Sequence, residues 1–139
     1  MSSAKLYNAE LLGLATALAN YPLDEDLPFR GSARSPACGS AVEVGLFLND
    51  EGTISRIGIK TQACAVGQAA AAIFAAEVAG KTQADIAAAL GETGQWLAGG
   101  DLPNWNGMAV IAAARDYPAR HGAILLTWRA ALVALAARG

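Results

Sequence analysis

Ser35-Pro36-Ala37-Cys38-Gly39-Ser40-Ala41-Val42-Glu43-Val44-Gly45-Leu46-Phe47-Leu48-Asn49-Asp50-Glu51-Gly52 leads into Ile54, Ile57 and Ile59. Lys60-Thr61-Gln62-Ala63-Cys64 and an alanine-rich run to Ala72 follow. Val42, Val44, Leu46 and Leu48 alternate with Ala41, Glu43, Gly45 and Phe47, the period-two pattern of a half-buried strand. Asp50-Glu51-Gly52 supplies a turn, with Gly52 suited to a positive φ. The stretch therefore predicts an antiparallel hairpin with strands over about 41–49 and 53–62. A hairpin brings its two ends together. Cys38 stands just before it and Cys64 just after, and they are the chain's 2 cysteines. The hairpin thus predicts that Cys38 and Cys64 share one site.

Cys64 falls where strand gives way to helix. Free backbone N–H groups and the helix dipole favour negative charge at such a place, which makes it a reactive position for a thiol. A buried, inert structural thiol is the competing reading, because free cysteine often serves as a small core residue.

The flanking chain extends the pattern. Leu6, Leu11, Leu14 and Leu18 mark one stripe of an amphipathic helix ending near Tyr21-Pro22. Leu23-Asp24-Glu25-Asp26 reads as a solvated acidic loop. Phe29 to Ser35 is expected as a short, irregular edge strand. Cys64 to Ala79 suits a helix laid close on the sheet and stopped by Gly80. Thr82-Gln83-Ala84-Asp85 has the form of a capping box, opening a helix with Ile86, Leu90 and Trp96 on its apolar side. Gly94, Gly99 and Gly100 are expected to break that helix, and 102–107 to form a loop. Met108 to Arg115 suits one short helix, and His121, Leu125, Trp128, Leu132 and Leu135 have the spacing of a final one.

Length and charge set the bounds. The 139 residues fit one domain, 1–139, with a real core, and 54% hydrophobic residues, many of them alanine, predict helices packed closely on a sheet. A net charge of −2 gives no electrostatic footprint for nucleic acid or an anionic membrane, and neither is expected as a partner. No run of about eighteen uncharged apolar residues marks a membrane span. Met1 to Lys5 lacks the pattern of a secretory signal, and two sparse cysteines suit a reducing cytoplasm, so a cytoplasmic location is expected. No Ser–His–Asp set, Gly-rich phosphate loop or placed carboxylate pair is visible, which argues against an enzyme.

Pro36-Ala37-Cys38-Gly39, the hairpin with Asn49-Asp50-Glu51-Gly52, Lys60-Thr61 before Cys64, and Gly80-Lys81-Thr82 together resemble the iron–sulfur cluster assembly scaffold family of IscU and the N-terminal domain of NifU. The resemblance runs from about Gly31 to Leu132. A long insert from Glu92 to Pro118, and a final helix carrying Leu126-Thr127-Trp128, are more like the SufU branch. It implies an α+β fold: an N-terminal helix, a three-stranded antiparallel sheet, and C-terminal helices packed on one face. It also implies a non-enzymatic scaffold that holds iron or an Fe–S cluster, with zinc as an alternative ion. Its partners would be a cysteine desulfurase and cluster-accepting apo-proteins, and it would act as a monomer or a cluster-bridged homodimer.

The chain departs from the family pattern twice. Ser40 stands where the family has Asp, and alignment on Trp128 places Ala123 where the family has a third cysteine. The predicted ligand set is then Cys38, Cys64 and His121, the last being the only histidine and a competent ligand for zinc or iron. A lone histidine is more often a surface or packed residue than a ligand, and that is the competing reading of His121. Two further readings stay open. One is a diverged scaffold fold working as a metal-free docking or regulatory module of the assembly machinery. The other is a redox pair of Cys38 and Cys64, which needs their Cα atoms within about 7 Å.

Overall fold

A computed structural model describes residues 6–36 and 39–137, so Cys38 lies outside the described residues. The hairpin is present: strand β2 (Ser40–Leu48) pairs antiparallel with β3 (Ile54–Gln62). Gly52 takes φ +82 in the turn. The Asn49 side-chain oxygen accepts from Glu51 N–H and Thr53 N–H at 3.0 Å each, tying the turn to its first residue. Strand β1 (Phe29–Ser35) completes a sheet of order β1-β2-β3. It was expected to be irregular, but it pairs in unbroken register from Phe29↔Leu46 to Ser35↔Ser40.

The alternation sorts the two faces of the sheet. Val42, Val44 and Leu46 point inward with Ile59 and are buried. On this inner face lie helices α1 (Ala9–Ala17), α2 (Ala65–Glu77), α3 (Gln83–Leu97) and α4 (His121–Ala136), with α4 packed directly across β1 and β2. Close approach is possible because Gly31 has no side chain: a Cβ there would come 2.3 Å from the Ala130 carbonyl oxygen and 2.4 Å from the Ala134 nitrogen. The core is one contiguous cluster that joins the sheet to all four helices. The fold is α+β, with helices on one face of a three-stranded antiparallel sheet.

The opposite face is covered at one end by the acidic loop. Asp24, Glu25 and Asp26 are exposed as expected, but Leu27 is buried. Leu23 and Leu27 sit on the cross-strand pair Gly45↔Gly58, where added Cβ atoms would meet Leu23, Leu27 and the Pro22 carbonyl at under 3 Å. Arg56 holds the loop from β3 through Asp26 at 3.1 Å and Asp24 at 3.4 Å.

Three other details differ from the sequence expectations. Leu6 is buried but lies ahead of α1, whose N-cap is Asn8. Helix α3 runs through Gly94 to Leu97, because the capping box at Thr82 and the buried stripe of Ile86, Ala89, Thr93 and Trp96 outweigh one helical glycine. The segment Met108–Asp116 is a 3-10 helix, followed by a second short one at Pro118–Arg120. The loop before it carries Trp105 into the core. There it stacks on Phe74 at 5.5 Å, meets Trp128 edge-on at 5.4 Å and donates from Nε1 to the Ile73 carbonyl at 3.0 Å. Among the described residues no helix is long and apolar enough to cross a membrane.

Candidate functional site

Register places the predicted site at one end of the sheet. Ser35 pairs with Ser40, and Ala41 with Gln62, so the start of β2 and the end of β3 lie side by side. Gly39 adopts φ +70 and donates its N–H to the Ser35 carbonyl at 2.9 Å, a turn that glycine enters without steric cost. Cys64 is the N-cap of α2, half-buried, with no side-chain capping bond and no disulfide. Its backbone is extended (φ −66, ψ 170), the conformation that ends a strand and admits a helix. Its carbonyl accepts from Gln68 N–H at 3.0 Å, while the Gln68 side chain donates to the Ala63 carbonyl at 3.1 Å. The first turn of α2 is thereby fixed under the thiol.

The first turn of α4 arrives at the same end. A Cβ on Gly122 would come 2.3 Å from Ser35 Oγ, so α4 begins in contact with the last residue of β1. A Cβ on Gly67 would come 2.9 Å from Ala63 Cβ and 3.2 Å from Ala123 Cβ, so the first turns of α2 and α4 also touch. Ala123 is 1% exposed and packs in that contact. Ser40 is 3% exposed and pairs with Ser35 across the two strands.

His121 is the first residue of α4 and half-buried. Its Nε2 lies 2.8 Å from the Arg115 carbonyl oxygen. A carbonyl only accepts, so Nε2 carries the proton and donates, leaving the lone pair of the neutral ring on Nδ1. A histidine oriented by a backbone carbonyl through one nitrogen is prepared to ligate through the other. Of the three predicted ligands, Cys64 and His121 lie among the described residues. Within those residues no three His, Cys, Asp or Glu side chains form a metal cage.

Sequence reasoning missed the Gly67 and Gly122 contacts and the anchoring carbonyl of Arg115. The small residues Ala63, Gly67, Gly122 and Ala123 carried the first signal. The second depended on the 3-10 path of Met108–Asp116, which no hydrophobic period announces.

No protein-family model matches the chain, and no curated protein does. Solved structures do match. The N-terminal part of a nitrogen-fixing NifU-like protein from Brucella abortus is 29% identical with a TM-score of 0.86, over 96% of this chain and 94% of that one. A candidate iron–sulfur cluster assembly scaffold protein for the SUF system from the thermophile Fervidobacterium islandicum AW-1 is 19% identical with a TM-score of 0.83, over 96% and 99%. A hypothetical protein is 18% identical with a TM-score of 0.77, over 94% and 99%.

These likenesses define a class: a three-stranded sheet with helices on one face and, in this chain, a thiol at the strand-to-helix junction. In fold the chain is similar to the N-terminal part of a NifU-like protein and to a SUF-system scaffold protein.

Proposed function

We propose that this chain, acting as one IscU-like domain over 1–139, is a scaffold-like protein of iron–sulfur cluster assembly. The supporting observation is Cys64, a half-buried free thiol at the α2 N-cap, in a chain that follows a NifU-like protein over 96% of its length. In this reading iron or a cluster is cargo, held by the Cys38 and Cys64 thiolates and by His121 Nδ1, with a fourth position open for exchange. Zinc would take the same ligands. Partners would be a cysteine desulfurase and cluster-accepting apo-proteins, in a cytoplasm that keeps both thiols reduced. The scaffold performs no catalysis of its own. A cluster needing more than these ligands would be completed by a second copy.

The test is iron and acid-labile sulfide analysis of protein purified and reconstituted without oxygen. Bound iron with sulfide, lost in Cys64→Ser and lowered about tenfold in His121→Ala, supports the reading. Unchanged metal in His121→Ala removes that residue from the ligand set.

A second reading has its own support. Ser40 and Ala123 stand where the family carries Asp and Cys, and both are buried and packed. A metal-free docking module of the assembly machinery would need neither group. Absence of any chromophore after reconstitution, with both thiols slow to alkylate, would select it.

A further inference from the structure

The outer face of the sheet differs at its two ends. At the Gly45↔Gly58 end, Leu23 and Leu27 cover it. There its cations are engaged: Arg56 pairs with Asp24 and Asp26, and Arg30 lies 3.8 Å from Glu43 and donates to the Leu27 carbonyl at 3.0 Å. At the Cys64 end none of the described residues covers the face, and Ser32, Arg34, Lys60 and Gln62 are exposed. The rows Ser32↔Glu43↔Lys60 and Arg34↔Ala41↔Gln62 place a shallow groove of about 490 Å³ there, floored by Ala41 and lined by Ser32, Glu43, Lys60 and Gln62. Arg34 and Lys60 are exposed on either side and form no ion pair among the described residues. In a chain of net charge −2, the unengaged cations of this face are thus gathered beside the thiol.

We propose that this bare half-face is the docking groove for an extended acidic segment of a partner protein. Carboxylates spaced along such a segment would meet Arg34 on one side and Lys60 on the other. The Ser32 hydroxyl and the Gln62 amide offer hydrogen bonds to its backbone, and small Ala41 lets the chain lie close. A second copy of this chain is a poor occupant, because face-to-face pairing sets Arg34 and Lys60 against themselves, and like charges in register repel. Gln62 is two residues before Cys64, so a segment seated here brings its protein to the thiol. That the partner exchanges iron or sulfur at Cys64 rests on the function proposed above; the docking itself does not.

The test uses the whole metal-free chain and an octapeptide of glutamate, with an octapeptide of glutamine as control, followed by amide NMR shifts at low salt. The expected result is shifts confined to residues 32–34, 41–43 and 60–62 with the glutamate peptide alone. Binding should weaken about fivefold or more in the Arg34→Ala/Lys60→Ala double variant and on raising salt, and stay unchanged in Arg129→Ala on the far side of α4. Both replaced side chains are exposed, so an unchanged melting temperature verifies the fold of the variant. No binding, shifts centred elsewhere, equal affinity in the double variant, or equal displacement by inorganic phosphate overturns the proposal. Because no iron enters the experiment, its failure leaves the cluster-binding test untouched, and failure of that test leaves the groove standing.

Discussion

Gly31→Ala and Gly94→Ala make the same chemical change and should move stability in opposite directions. At Gly31 the new Cβ would lie 2.3 Å from the Ala130 oxygen, 2.4 Å from the Ala134 nitrogen and 3.0 Å from the Ala134 Cα. All three are backbone atoms of α4, so no rotamer change relieves the clash, and the helix must retreat by roughly 1 Å to restore ordinary contact. Retreat of that size forfeits about a quarter to a half of the dispersion energy across the gap. The α4 face involved carries Leu126, Thr127, Ala130 and Ala134, all fully buried. Overpacking commonly costs about 1–3 kcal/mol, and a clash made only with backbone belongs at the upper end, about 3 kcal/mol. For a chain of this size that lowers the melting temperature by about 10 °C. Gly94 lies inside α3 with nothing within 4 Å of its Cβ position, so alanine there should add about 0.8–1 kcal/mol by removing the glycine penalty. Urea unfolding of the two variants beside the wild type measures both. A Gly31→Ala cost below about 1 kcal/mol, or a loss of stability in Gly94→Ala, would refute the close-approach account.

Three further outcomes are expected. Trp105→Ala should destabilise by about 3–5 kcal/mol, since it removes the stack on Phe74, the edge contact with Trp128 and the bond to the Ile73 carbonyl; Trp105→Phe should cost clearly less in the same unfolding assay. The Thr82 backbone N–H beside Asp85, 2.9 Å from its carboxylate, holds that group below its usual value, with the Thr82 hydroxyl reinforcing it. A depressed carboxyl contributes stability above its unfolded pKa and loses it as the pH falls through the folded one. The deficit of Asp85→Asn should therefore be full at neutral pH and shrink below about pH 4 in urea titrations; a deficit independent of pH would contradict the capping role. Ala123→Cys should yield a thiol alkylated at least about tenfold more slowly than Cys64, because position 123 is 1% exposed against Gly67; equal rates would show that the first turn of α4 opens.

The hairpin was legible because its two signals are local: alternating aliphatics and an Asn-Asp-Glu-Gly turn. The capping box and the stop at Gly80, which adopts φ +86, are equally local. The likeness carried by the Cys38 and Cys64 blocks extended the reading to the whole α+β arrangement. The outer face was not legible. Gly45 and Gly58 look like interruptions of their strands, and only pairing turns them into a footprint for Leu23 and Leu27. Trp105 was hidden for a related reason: it sits among Pro, Asn and Gly, and its burial depends on Phe74 and Trp128, both distant in sequence. At the site, Cys64 as the cap of α2 and His121 as the opening of α4 follow from sequence. The orientation of the imidazole does not, because the Arg115 carbonyl reaches it only through a 3-10 segment.

Three contacts that only small residues permit seat α4 on the rest of the fold. Gly31 admits the body of α4 to β1, Gly122 admits its first turn to Ser35, and Gly67 admits it to the first turn of α2. Each shortens the distance between elements and leaves less room between them, and Ala123 occupies the last of these spaces with a single methyl group. A larger residue at 123 would press on Gly67, so the tight seating of α4 and the small side chain at that position go together. The same seating sets the surroundings of His121. One turn further in, α4 is buried; one residue earlier, Arg120 is engaged in donating to the Tyr7 hydroxyl. His121 lies between them, half-exposed, its Nε2 bound to the Arg115 carbonyl and its Nδ1 available. On the proposed function, a donor at this end of α4 would therefore come from position 121 and not from 123.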